Sequence, residues 1–207
     1  MRITGGPSRG RKIDKFENES TRPPLVRMRK SLFSILGDAV EGARVLDLFA
    51  GSGAFGIEAL SRGARSAIFV EACPRTAEGL RQNLRKLGFR SQSEVFASDA
   101  FTAMEPGSFL APHAESSRVV ASTLENGLDL VFLDPPFAFL EEGREREDLL
   151  RGLMSLQGCP RLDAESTIVF RAPIEHPLPP ELAGNSSRTY GRSVVHFLSP
   201  HPAPDPN

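Results

Sequence analysis

Between residues 44 and 171, short apolar runs alternate with longer segments of helical period, joined by brief turns. Runs such as Ala67-Ile68-Phe69-Val70 and Leu130-Val131-Phe132-Leu133 suit strands buried on both faces. Strands separated by helices run parallel, because each crossover helix returns the chain to the start of the next strand. Strands are expected at 44–48, 66–71, 93–97, 128–133 and 166–171. Helices are expected from the glycine turn at 51–53 to about Arg62, over 74–87 and over 141–156. Pro74 suits the first position of its helix, and Gly63 stops the helix before it. Two further strands, 188–190 and 193–198, flank a Gly191-Arg192 turn and read as a closing hairpin. The expected fold is α/β: a mostly parallel seven-stranded sheet, helices on both faces, and one antiparallel strand placed at an edge by the hairpin.

A chain of 207 residues fits one such domain with a short appendage. A short strand at 2–4 and a Gly5-Gly6-Pro7 turn lead into an extended, loop-rich segment at 7–24. A helix follows at 27–36, with Met28, Leu32, Phe33, Ile35 and Leu36 apolar and Gly37 as its cap. Residues 105–127 show no period and read as a mobile insertion loop, and residues 201–207 as a disordered tail. The organisation expected is a basic extension and helix at 1–38, a main domain at 39–200 and the tail at 201–207.

Residues 1–30 hold nine basic side chains against three acidic ones, a balance of +6 in a chain of net charge −1. Basic arms of this kind attract phosphate backbones, and Arg9, Arg11, Lys12, Arg22, Arg27 and Arg29 are the candidate contacts. Cys73 and Cys159 are two isolated thiols, each followed by proline, which excludes a disulfide scaffold or a zinc cluster. The histidines (His113, His176, His196, His201) have no metal-ligand spacing, so no metal is expected. No signal peptide or run of about 18 apolar residues is present, so the expectation is a cytoplasmic protein without membrane contact.

The segment from Val45 to Gly56 contains Asp47-Leu48-Phe49-Ala50-Gly51-Ser52-Gly53 at a strand-to-helix turn. Ligands of doubly wound sheets bind at the carboxyl ends of the strands, where this turn lies. Gly51 and Gly53 let backbone approach a ligand closely. Glu71, twenty residues after Gly51, ends the next strand and can accept from both hydroxyls of a ribose. The string Gly51-x-Gly53-x-x-Gly56 also fits a dinucleotide fingerprint. However, Asp47 would face the pyrophosphate with a negative charge, whereas S-adenosylmethionine has no phosphate and offers an ammonium. Asp99 can accept from an adenine amino group or cap a short helix. The candidate cofactor set is Asp47, Phe49, Ala50, Gly51, Ser52, Gly53, Glu71, Ala72, Asp99 and Ala100.

Asp134-Pro135-Pro136-Phe137 ends the fourth strand and opens into the same crevice. The lone pair of a base amino group is delocalised into the ring, so attack on a methyl carbon requires acceptors on its N–H bonds. The Asp134 carboxylate can be one acceptor. The Pro135 carbonyl can be the other, its direction locked by consecutive prolines. Phe137 can stack on the base, and Asp134 can take the released proton. The bland alternative is an Asp-Pro-Pro turn that merely ends a strand.

With these motifs the chain resembles the RsmD-like family, the bacterial 16S rRNA guanine-2-amino methyltransferases. The resemblance runs from Met1-Arg2-Ile3 to about Leu198. It includes Gly10-Arg11-Lys12, Thr21-Arg22-Pro23, Arg27-x-Arg29, Leu32-Phe33, the Asp47–Gly56 block, Glu58-Ala59-Leu60-Ser61-Arg62-Gly63-Ala64, Glu71 and Asp134-Pro135-Pro136-Phe137. It implies a Rossmann-like class I methyltransferase fold with a basic N-terminal extension, S-adenosylmethionine as donor, and guanine in 16S rRNA of an assembled or assembling 30S subunit as acceptor. It also assigns the N-terminal segment to RNA contact. The family's threonine and following acid after Arg-Pro are Pro24 and Val26 here, with Leu25 between, and the acid after Arg-x-Arg is Lys30. These departures bear on substrate choice. Methylation of an adenine or guanine amine in other RNA or DNA, a nicotinamide-dependent oxidoreductase, and a non-catalytic RNA-binding protein are the alternatives.

Overall fold

The computed structural model describes residues 1–16, 26–105, 117–182, 184 and 186–200. Seven strands form one sheet in the order β3-β2-β1-β4-β5-β7-β6. They are β1 (Arg44–Leu48), β2 (Ser66–Val70), β3 (Ser93–Phe96), β4 (Leu128–Leu133), β5 (Leu162–Pro173), β6 (Ser186–Tyr190) and β7 (Ser193–Leu198). The strands β1 to β5 pair in parallel. Strand β7 is antiparallel to both β5 and β6. The antiparallel strand therefore lies one place in from the edge, because β6 folds back outside it.

Side-chain alternation along the strands sends two sets of apolar residues to two faces. Val45, Phe69, Leu130, Phe132, Val169 and Val195 pack against α1 (Val26–Leu36), α2 (Gly56–Ser61) and α3 (Pro74–Leu87). Leu46, Leu48, Ile68, Val70, Val131, Leu133, Ile168 and Phe170 pack against α4 (Ala100–Met104), α5 (Arg118–Asn126) and α6 (Arg144–Gln157). The result is three layers, helix–sheet–helix, as continuous apolar strands require.

Several expectations need correction. Residues 105–127 are not a single insertion loop: α5 occupies Arg118–Asn126, burying Val120 and Thr123 against the sheet. Its period is hidden because Ala, Ser and Thr dilute the few apolar positions, and Thr123 Oγ1 donates to the Val119 carbonyl at 2.9 Å. Residues 106–116 of that stretch, the 201–207 tail and residues 17–24 of the extended segment lie outside the described residues. The strand at 2–4 reduces to one antiparallel bridge between Arg2 and Lys12. Gly37 has the left-handed φ of 51°, and the chain continues beyond it as a short 3-10 turn to Val40. Strand β5 is longer than expected, and its pairing with β4 shifts register between Leu128 and Leu130.

The N-terminal residues pack into the same core as the sheet, with Ile3 and Ile13 at 2% and 0% exposure. Their anchor is Glu58, fully buried in α2. It accepts from the Thr4 backbone N–H at 2.9 Å, the Thr4 hydroxyl at 2.7 Å and Arg62 Nε at 2.9 Å. Arg29 Nε lies 3.3 Å from Glu58 Oε2, and both side chains are 0% exposed. The Arg29 guanidinium also donates to the Arg2 carbonyl. Arg29 is therefore not a phosphate contact. It sits on the apolar face of α1 beside Met28, Leu32 and Phe33, where charge counting cannot see it.

Candidate active site

The register of the sheet fixes which residues can meet. Asp47 lies level with Phe69 of β2 and Phe132 of β4, and Leu48 with Val70 and Leu133. The residues that follow, Phe49, Glu71 and Asp134, therefore leave the sheet together at the carboxyl ends of three adjacent strands. Asp47 alternates with Val45 on the face covered by α1–α3.

The turn after β1 is held by two carboxylates. Asp47, 1% exposed, accepts the Gly56 N–H on Oδ2 at 2.8 Å. Glu71 is half-buried and takes the Gly51 N–H on Oε2 and the Cys73 N–H on Oε1, both at 2.9 Å. The Ala50 N–H donates to the Val70 carbonyl at 2.9 Å, which ties the turn to β2. Gly53 has φ 84°, and a Cβ there would stand 2.5 Å from Leu80 Cδ1, so α3 occupies the space that a side chain would need. A Cβ on Gly56 would meet the Phe69 ring at 2.3 Å. These two glycines let the turn pack against protein as closely as possible.

Phe49 is the single non-glycine residue with positive φ, at 59°, among the described residues. Strain of this kind persists where surrounding structure enforces it. The Phe49 ring meets Phe101 edge-on at 5.8 Å and Phe139 at 6.2 Å. Asp99 caps α4, accepting the Phe101 N–H at 2.9 Å, and Ala100 is buried behind it. Ala72 is exposed beside Glu71, and Ser52 is buried at 4% exposure.

Burial pushes the Asp47 carboxyl well above the usual carboxylate range. The Gly56 hydrogen bond opposes that rise, while nearby Asp134 and Glu71 add to it. Three carboxylates thus crowd one crevice, an arrangement that repels a pyrophosphate and is relieved by a cation.

Asp134 follows β4 directly, its side chain 11% exposed. Burial raises its pKa to about 6 against the opposing charge of Arg171. Arg171 Nη1 donates to Asp134 Oδ2 at 3.1 Å, and its Nε stands 3.1 Å from Oδ1. Pro135 is buried, Pro136 is half-buried, and Phe137 starts a 3-10 turn to Leu140. The Arg171 guanidinium lies over the Phe137 ring, 4.9 Å from its centre.

Sequence reasoning missed two residues. Arg171 is one; its signal is a lone charge interrupting the apolar run Ile168-Val169-Phe170-x-Ala172. Asn83 is the other. It accepts the Asp14 N–H at 3.0 Å and donates to the carbonyls of Asp14 at 3.0 Å and Ser52 at 3.4 Å. It joins the N-terminal segment to the turn through α3.

The basic candidates differ in their surroundings. Arg9 and Arg27 are exposed. Lys12, 67% exposed, pairs with Asp14 at 3.3 Å. Arg11 donates to the carbonyls of Leu87 and Lys86 at 2.8 and 2.6 Å, at the end of α3. Arg22 lies outside the described residues. Among the described residues no helix is long and apolar enough to cross a membrane. A cleft of about 460 Å³ lies at the opposite end of the sheet, and there Arg44 is already paired with Asp129 at 2.6 Å.

The model of the family described as conserved hypothetical protein 95 matches residues 1–199. The chain is 33% identical over 199 residues to "Putative rRNA methyltransferase YlbH" of Bacillus subtilis, covering 94% of this chain and 96% of that protein. It is 37% identical over 144 residues to "Ribosomal RNA small subunit methyltransferase D" of Escherichia coli, covering 69% of this chain and 64% of that protein. The solved structure of "Putative methyltransferase yhhF from Escherichia coli" superposes with a TM-score of 0.73 at 28% identity, covering 95% of this chain and 96% of that one. An RNA methyltransferase from Salinibacter ruber, solved with S-adenosyl-L-homocysteine, shares the fold with a TM-score of 0.55 at 16% identity, covering 89% of this chain and 97% of that one. The architecture is the Rossmann-like fold of these methyltransferases.

Proposed function

The chain belongs to the family described as conserved hypothetical protein 95, and from that premise we propose that it transfers a methyl group from S-adenosylmethionine to the 2-amino group of a guanine in 16S rRNA. The observation that carries this reading is the shared level of Phe49, Glu71 and Asp134 just past the carboxyl ends of β1, β2 and β4, with Asp47 two residues before Phe49 on β1. The electrostatics fit the donor, because a sulfonium and an ammonium are the charges that three crowded carboxylates favour. Asp47, the turn Phe49, Ala50, Gly51, Ser52 and Gly53, and Glu71, Ala72, Asp99 and Ala100 are the residues assigned to hold it. When bound, S-adenosylmethionine supplies an electrophilic methyl group on sulfur.

The chain's own residues prepare the base. The Asp134 carboxylate accepts one N–H of the guanine amine, and the Pro135 carbonyl accepts the other. Both pull the lone pair out of conjugation. Pro136 stiffens the corner. Phe137 is half-buried, and an unpaired base stacks on the face of its ring away from Arg171. The base reaches this corner from a loop or by leaving its helix. Asp134 then takes the amine proton.

Asp134 must be ionised to accept, and its proton affinity is centred near pH 6. The rate of methyl transfer is therefore expected to fall about tenfold for each pH unit below that point and to level off toward neutrality. A rate that rises on acidification would remove Asp134 from the role of acceptor.

RNA is held by the exposed part of the basic segment, represented by Arg9, Lys12 and Arg27, together with Arg22. Arg11 adds its charge from the end of α3. Reversing Arg9, Lys12 and Arg27 together should weaken RNA binding and reduce its log–log salt slope by roughly 0.7 per lost contact. Donor affinity should stay the same. Unaltered RNA affinity would reject this surface.

The deciding experiment incubates the protein with labelled methyl donor and undermethylated 30S subunits. Nucleoside mass spectrometry should find 2-methylguanosine in 16S rRNA. Label found only in DNA, or as methyladenine, overturns the substrate.

A further inference from the structure

Arg171 is 7% exposed, in the interior of a sheet whose neighbouring positions are apolar. Phe170 lies level with Leu133, so Arg171 and Asp134 face each other one step further along β5 and β4. Val169 and Val195 place this part of β5 and β7 on the face where Asp47 also lies. A buried ion pair adds little stability over apolar residues of similar size, so folding alone gives no reason for an arginine here. Its contacts give one. It hydrogen-bonds Asp134 through Oδ2, and it covers Phe137. Although Nε stands near Oδ1, Oδ1 has no hydrogen-bond partner despite being buried. The guanidinium thus faces both carboxylate oxygens but hydrogen-bonds only Oδ2, so Oδ1 keeps the capacity to accept a further donor.

We propose that Arg171 is a positioning residue that keeps Asp134 an acceptor for the substrate N–H and fixes the Phe137 ring on which the base stacks. The assignment rests on the function proposed above. The charged groups around Asp134 are Asp47 from β1, Glu71 beyond it from β2, and Arg171 from β5. Burial disfavours the charged form of Asp134, and Arg171 is the group that favours it. Without the guanidinium the carboxyl takes a proton, and one of its oxygens becomes a donor facing the donor groups of the base. Arg171 also ties the two halves of the corner together, because the acid and the ring lie on opposite sides of the Pro135-Pro136 link.

The test compares wild type, R171M and R171K. Removing an adjacent opposite charge moves a carboxyl titration up by about 1–3 pH units. R171M should therefore lose roughly 2–100-fold in kcat at pH 7, according to the size of the shift, and recover as the pH is raised toward about 9. R171K restores a charge without the planar group over Phe137. It should bring the pH profile back while KM for RNA stays raised. Carboxyl carbon NMR, with D134N to assign the signal, reads the Asp134 titration directly and needs no activity. It should move upward in R171M and return in R171K. R171Q serves as the uncharged variant if R171M does not fold. An Asp134 titration that stays in place without Arg171 overturns the proposal, as does a loss of activity equal at every pH in a folded variant. Wild-type protein that methylates no RNA rejects the function and leaves the titration to decide Arg171 by itself.

Discussion

Asp134→Asn is expected to lower methyl transfer to RNA by about 10²–10³-fold, the usual cost of removing one group that stabilises a transition state in a dry site. Asparagine keeps the shape and one acceptor but presents an NH2 group where the base amine needs an oxygen. It also removes the negative charge that faces Arg171 at 3.1 Å. The comparison is of single-turnover rates with saturating RNA, with donor affinity measured separately. Donor affinity should hold, because Asp134 acts on the acceptor side. Folding is checked by thermal denaturation, since the variant leaves Arg171 without its partner. A folded variant within threefold of the wild-type rate would take Asp134 out of the chemistry and leave the Asp-Pro-Pro segment as a turn.

The second large effect is on stability. Glu58→Ala should destabilise the protein by about 3–5 kcal/mol, because it strands Arg29 in the core without a counter-charge. Burial already lowers the pKa of Arg29, while Glu58 supports its charged form and Arg62 opposes it. The variant also removes the acceptor of both Thr4 donors, so residues 1–16 lose a main anchor. Denaturant unfolding measures the loss, and limited proteolysis should cut the N-terminal segment first. A change below about 1 kcal/mol would show that the Arg29–Glu58–Arg62 cluster is not what holds that segment.

What the sequence disclosed was local. The glycine turn and the Asp-Pro-Pro-Phe corner are contiguous, and their chemistry follows from residue types a few positions apart. The five parallel strands were legible because buried strands read as unbroken apolar runs, whereas the place of β7 inside β6 follows from pairing that no local run records. Arg171 stayed hidden because its partner stands 37 residues away in sequence, and only the β4–β5 register brings them level. Arg29 was misjudged for the opposite reason: counting charges treats every arginine as solvent-facing. The helix at Arg118–Asn126 escaped because nine residues with few apolar positions make too short a period to see. The double tie of Glu71 to Gly51 and Cys73 was beyond a reading that assigned its oxygens to a ribose.

Strand β7 comes after β6 in the chain yet lies between β6 and β5. While the protein is being synthesised, β6 emerges with nothing to pair to until its successor has left the ribosome. Both join the sheet through β7, which pairs with β5. Until they do, β5 is a rim strand open to water, and the arginine near its end is still hydrated. The burial that sets the charge balance around Asp134 is thus complete only once the last strand of the sheet is in place.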